Sequence, residues 1–156
     1  MFSEIKVLLN NSFNPVHPGS LAHLDPPPLI FSILGDLLAA GLNNNLLAYD
    51  LSPSVTLLED SLCNWFAKKI GFNDSSGGIA ASGGTLSNLN ALIAARNNAG
   101  LGSDPNAVLL VSEDAHSSFI KCTRIMGLDE ANLVRIKTDN KGGMDIQNLR
   151  KILDKC

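Results

Sequence analysis

Two stretches near the start of the chain carry apolar residues at helical spacing. Leu29, Ile30, Ile33, Leu34, Leu37 and Leu38 follow Pro26-Pro27-Pro28 and close at Gly41. Steps of three and four predict a helix, and proline suits its first turn because the missing N–H would have no intrahelical partner. This helix is apolar around most of its circumference, which predicts that it is buried or lies at a subunit interface. Asn43-Asn44-Asn45 breaks the pattern, and Ser52-Pro53 opens a second predicted helix with serine as its cap. Val55, Leu58, Leu62, Trp65, Phe66 and Ile70 form its stripe and Gly71 ends it, so Trp65 and Phe66 read as core residues. Residues 1–25 show no such rhythm: Val7-Leu8-Leu9 is a short apolar patch, and Asn10 to Pro15 and His17-Pro18-Gly19 read as loop.

From residue 78 the rhythm changes to alternating strands and helices. The predicted order is a strand over Ile79 to Ser82, a helix from Leu86 to Asn98, and a buried strand over Ala107 to Val111. A helix around Phe119, Thr123 and Met126 follows, then a strand from Leu133 to Ile136. The last predicted helix is capped by Asp145, with Ile146, Leu149, Ile152 and Leu153 facing inward. Such alternation with short loops predicts an α/β fold, a mostly parallel sheet flanked by helices and preceded by the apolar helices. The expected divisions are an N-terminal loop or arm (1–25), a two-helix segment (26–72) and the sheet-bearing part (73–156). Ligands of such sheets bind beyond the carboxyl ends of the strands, where Gly83-Gly84-Thr85 and His116 fall.

The glycine turn admits two readings from its own residues. The first amides of the helix that follows it have no intrahelical partner, and with the positive end of the helix dipole they form an anion site suited to phosphate. Equally, Thr85 could cap the helix, with the glycines serving only a tight turn.

Bulk properties narrow the choice of partners. The 156 residues are 45% hydrophobic and 17% charged, which suits one domain with its own core. A net charge of -3 gives no electrostatic reason to expect nucleic acid or an anionic membrane. No apolar run reaches spanning length. Cys63, Cys122 and Cys156 are few and far apart, the pattern of reduced thiols, and a cytoplasmic location is the expectation.

Several familiar sites are excluded by spacing. No lysine follows the glycines as a P-loop requires, and Gly77-Gly78 with Gly83-Gly84 does not make GxGxxG. No GxSxG elbow surrounds Ser82 or Ser87, and His17, His23 and His116 lack metal-ligand spacing.

Taken in order, the remaining motifs carry a family resemblance. They are His17-Pro18, Leu34-Gly35-Asp36, Leu51-Ser52-Pro53 with Leu58-Glu59, Ser82 to Asn88, Ala94-Ala95-Arg96, Ser112 to Ser118, and Arg135-Ile136 through Gly143-Met144-Asp145. From His17 nearly to the C-terminus the chain resembles the pyridoxal-phosphate-dependent group II amino-acid decarboxylases, its last part most like the diaminobutyrate branch. The resemblance implies a fold-type-I large domain, usually in a homodimer, that releases CO₂ from an amino-acid substrate. It implies that Gly83, Gly84 and Thr85 grip the cofactor phosphate and that His116 stacks on the pyridine ring. It also makes His23 and Leu24, in Ala22 to Pro26, candidates for substrate contact, and leaves His17 to shape the loop before Pro18.

The family's Schiff-base lysine, which sits in a His-Lys dipeptide, has no counterpart among the lysines here, and neither has the aspartate that pairs with the pyridine nitrogen. The resemblance therefore implies that the chain spans part of the cofactor domain, with no catalytic lysine of its own. Two expectations follow. The chain is a fragment of a decarboxylase, or it is a non-catalytic module that at most binds phosphate compounds or pairs with a full-length subunit. In either case the apolar helices and open sheet edge predict poor solubility alone.

Overall fold

The computed structural model describes residues 1–21, 24 and 26–154. They divide into two compact units, Met1–Leu58 and Glu59–Cys156, with the division inside a helix.

The first unit is helical. Helix α1 (Phe2–Asn10) occupies much of the stretch read from sequence as unpatterned; Phe2, Ile5, Leu8 and Leu9 share one face of it, and none of its residues is buried. Helix α2 (Ile30–Leu42) matches the apolar helix and runs one residue beyond Gly41, ending where Asn43 takes the left-handed conformation (φ 47°). No residue of α2 is buried, so none of the described residues covers its apolar faces. Helix α3 (Pro53–Lys69) starts with proline in its first turn as expected. Ser52 supplies its carbonyl to the Thr56 amide at 3.0 Å, while its buried hydroxyl donates to Asn44 Oδ1 at 3.1 Å. Gly71 (φ 90°) ends the helix, with the Phe72 amide returning to the Ala67 carbonyl at 2.9 Å.

The apolar stripe of α3 is not a core. Trp65 is 53% exposed and Phe66 54%, packed edge to face on each other at 4.9 Å, with Lys69 Nζ over the indole. Ala67 is the one buried residue of the helix. The spacing was helical, but periodicity states only which face is apolar. Burial also needs an opposing surface, and none of the described residues buries these rings.

The second unit holds the sheet. Strands β1 (Leu109–Ser112) and β2 (Leu133–Ile136) pair in parallel, Leu109 opposite Leu133 and Ser112 opposite Ile136. Helices α4 (Gly84–Asn98) and α5 (Ser118–Ile125) pack on each other, and α5 also lies against β2. Ile136, Cys122 and Thr123 are wholly buried between them, joined by Val111, Ala107 and Leu128. Helix α6 (Ile146–Leu153) is capped as its sequence predicts, with Asp145 Oδ1 accepting from the Gln147 and Asn148 amides at 2.8 and 3.0 Å.

The predicted strand over Ile79 to Ser82 is not formed. The segment is extended, but among the described residues no neighbouring strand supplies a ladder, and Ile79 stays 69% exposed. The sheet therefore has two strands rather than three.

Candidate functional site

The glycine turn is held from behind by α3. Glu59 Oε1 accepts the Ala80 amide at 2.8 Å. A Cβ on Gly78 would lie 3.2 Å from Cys63 Cβ, so the extended segment passes close against the helix. Residues 77–81 are thereby fixed before the chain turns at Ser82 and Gly83 into α4.

That helix starts without a side-chain cap. Gly83 is its N-cap, in extended conformation, and Thr85 lies inside the first turn, so the reading of Thr85 as the cap is set aside. The first backbone bond runs from the Ser87 amide to the Gly83 carbonyl at 3.1 Å. Among the described residues, the amides of Gly84, Thr85 and Leu86 donate to no protein acceptor. Cβ atoms at Gly83 and Gly84 would meet nothing within 4 Å, so the protein's own packing does not require glycine there. The open space is a shallow depression of roughly 400 Å³ lined by Ser82 to Leu86, Leu89 and Ile125. Three free amides, a helix dipole and backbone unobstructed by side chains suit an anion of phosphate size.

The carboxyl end of β1 leads to the second part of the site. Glu113 follows the strand and is tied to β2 through its amide, which donates to the Ile136 carbonyl at 2.8 Å. Its carboxylate accepts from the Thr138 amide at 2.6 Å and the Thr138 hydroxyl at 2.9 Å. These two bonds, the backbone one foremost, hold the Glu113 carboxyl below the usual glutamate range. A turn closed by the Ala115 amide on the Ser112 carbonyl (3.0 Å) then presents His116 just before α5. His116 is exposed, but its Nδ1 faces Ser118, whose hydroxyl lies at 2.9 Å and whose amide donates at 3.1 Å.

The turn and the histidine are joined through α4. Asn88, four residues after Gly84, donates from Nδ2 to Ser118 Oγ at 2.9 Å. Cys122 Sγ adds a weak bond to the Thr85 carbonyl at 3.6 Å. His116 itself does not line the depression at the turn. At the far end of α4, Arg96 donates to three carbonyls, Leu101 and Asp104 at 2.8 Å and Met126 at 3.1 Å, which fixes the helix at its C-terminus.

The remaining sequence candidates lie elsewhere. His17 Nδ1 accepts the Gly19 amide across Pro18 at 3.0 Å. Leu24 is 98% exposed, and His23 lies outside the described residues, as does Cys156. Cys63 and Cys122 are free thiols. No helix among the described residues is long and apolar enough to cross a membrane. Asn88, Ser118 and Glu59 have no role legible from their residue types alone; they stand in the motifs Ser82 to Asn88, Ser112 to Ser118 and Leu58-Glu59.

A parallel sheet flanked by helices, with an uncapped glycine turn at the start of α4, defines an α/β protein. The sequence supplies the family: residues 16–156 match the pyridoxal-dependent decarboxylase conserved domain, and the chain belongs to that family. It is 29% identical to an L-2,4-diaminobutyrate decarboxylase of Acinetobacter baumannii over 96% of this chain and 33% of that protein. It is 32% identical to an aromatic-L-amino-acid decarboxylase of Bacillus atrophaeus over 95% of this chain and 32% of that one. Its fold superposes with a TM-score of 0.89 on the glutamate decarboxylase domain of a Vibrio parahaemolyticus protein described as diaminobutyrate-pyruvate transaminase and L-2,4-diaminobutyrate decarboxylase. That match has 25% identity and covers 98% of this chain and 36% of the other. The chain thus spans about a third of the length of the relatives it matches.

Proposed function

We propose that this chain carries the phosphate grip and ring-facing histidine of a pyridoxal-phosphate site in an amino-acid decarboxylase. The observation that carries the reading is the uncapped start of α4, where three free amides face open space over two glycines. In a pyridoxal-dependent family, that is the group the cofactor phosphate requires. When bound, the cofactor supplies an electron sink for the bond lost with CO₂.

The chain's own residues have simpler tasks. The amides of Gly84, Thr85 and Leu86 hold the phosphate, and Thr85 offers its hydroxyl beside them. Gly83 and Gly84 leave the backbone accessible. His116 supplies a flat face for the ring, and Glu113 with Thr138 fixes the strand ends from which that histidine springs. His23 and Leu24 are proposed to contact the amino-acid substrate. The decarboxylase works as a cytoplasmic homodimer in this reading. Because no lysine here follows a histidine, the chain by itself is expected to release no CO₂.

The exposed apolar surface favours a second reading alongside this one. Trp65, Phe66 and the uncovered α2 suit a module that pairs with a full-length subunit rather than acting alone.

The test compares pyridoxamine 5′-phosphate with pyridoxamine by calorimetry on the whole chain. Neither ligand can bond covalently to surface lysines, so the difference isolates the phosphate. Binding of the phosphorylated form at least about tenfold tighter is expected, since hydrogen bonds to a charged group contribute about 1.5–3 kcal/mol each. Equal affinity for the two would overturn the reading.

A further inference from the structure

We infer that Asn88 and Ser118 are positioning residues that fix the tautomer and the ring plane of His116. The inference rests on the proposed role of His116 but is argued from hydrogen-bond polarity alone. Ser118 is 1% exposed, so water does not rearrange its bonds. Its amide is a donor only, and it points at His116 Nδ1 at 3.1 Å. A proton on Nδ1 would confront that N–H, so in the neutral imidazole Nδ1 accepts and Nε2 carries the proton.

The hydroxyl completes the pattern. Ser118 Oγ lies 2.9 Å from the same Nδ1, which has no proton to give, so Oγ must donate there. Its single proton being used, it can only accept from Asn88, and the amide nitrogen at 2.9 Å is the matching donor. The reverse orientation of the Asn88 amide would place two lone pairs face to face between Oγ and Nδ1. All three bonds are satisfied in one arrangement only. Two donors on one ring nitrogen also restrain rotation of the imidazole, which leaves Nε2–H directed away from the pair.

The link matters because it joins the two halves of the site. Asn88 stands one turn along the helix whose start holds the glycine turn, and Ser118 opens the helix that follows His116. A displacement of the start of α4 is therefore transmitted to the ring plane of the histidine.

The test reads ring nitrogens directly, in long-range proton–nitrogen NMR spectra of the whole chain labelled with ¹⁵N-histidine at a pH where the rings are neutral. Wild-type His116 is expected to show an unprotonated Nδ1 and a protonated Nε2. Asn88→Asp replaces the donor with an acceptor, turns the Ser118 hydroxyl toward itself and presents a lone pair to Nδ1. The Nδ1-protonated fraction should rise roughly two- to tenfold, the equilibrium counterpart of one hydrogen bond. His17, whose Nδ1 accepts from the Gly19 amide and touches neither residue, is the internal reference and should not change.

Ser118→Ala serves if the aspartate variant does not fold. It leaves one donor on Nδ1, and the His116 Nδ1 signal should move toward that of His17. A proton on Nδ1 in the wild type, or a His116 signal unmoved by both substitutions, overturns the inference. No cofactor is present in this measurement, so its failure is separate from failure of the phosphate reading.

Discussion

Glu59 and Ala80 stand 21 positions apart, yet the carboxylate of the first accepts the backbone amide of the second at 2.8 Å. This bond anchors an extended segment that has no strand neighbour, immediately before the glycine turn. A helix thus does the work that a β-ladder would otherwise do. The turn depends on α3 for its position even though α3 supplies none of the groups that face the depression.

Replacing Glu59 with alanine should therefore loosen residues 77–82. The loss is expected to be about 1 kcal/mol, the scale of a hydrogen bond to a partly exposed charged acceptor. Hydrogen exchange at the Ala80 amide reads it directly: that amide should exchange several times faster while those of β1 and β2 do not. Unchanged protection at Ala80 would mean that the bond carries no weight.

Two glycine substitutions should separate folding from binding. Gly78→Ala puts a methyl group 3.2 Å from Cys63 Cβ and is expected to cost about 1–2 kcal/mol in denaturant unfolding, as overpacking does. Gly83→Ala meets nothing within 4 Å, so stability should hold within about 0.5 kcal/mol, as for surface substitutions. The same change should weaken binding of pyridoxamine 5′-phosphate. If Gly83→Ala binds as well as wild type, the open space above the turn is not where the ligand sits.

Arg96 ties α4 to both the loop that follows it and the end of α5. Arg96→Lys keeps the charge but cannot reach three carbonyls with one ammonium group in the same geometry. A loss of about 2 kcal/mol is expected in urea unfolding, since bonds to charged groups contribute about 1.5–3 kcal/mol each and are not additive. A lysine variant as stable as wild type would show that the three bonds are replaceable by water.

The acid limb of stability should report Glu113. The Thr138 amide and hydroxyl favour its charged form, so its carboxyl titrates lower when folded than when unfolded. The stability it contributes is then full above the unfolded value and is lost as pH falls through the folded one. Unfolding curves below the usual glutamate range should be less steep in pH for Glu113→Gln than for wild type. Identical acid limbs would remove Glu113 as the link between the strand ends.

Much of the second unit was legible from pattern, and the reason is local. β1 and β2 are short apolar runs bounded by turn residues, and Asp145 is a cap whose acceptor reaches amides only two and three residues on. Features that depend on distant surfaces were not legible. The Ile79 to Ser82 run is extended, but among the described residues it has no partner for a ladder. Trp65 and Phe66 repeat at core spacing, yet nothing described covers them. The Asn88–Ser118 bond spans 30 positions and is set by the packing of α4 on α5, which no spacing within either helix announces. Thr85 had the composition of a cap, but Gly83 took that position and left three amides free.

Those amides give the most direct test. A titration of the ¹⁵N-labelled chain with pyridoxamine 5′-phosphate should move the Gly84, Thr85 and Leu86 amide signals together and downfield, as charged acceptors do, while pyridoxamine leaves them in place. Binding of the phosphorylated ligand with these three signals unmoved would contradict the phosphate grip at the start of α4.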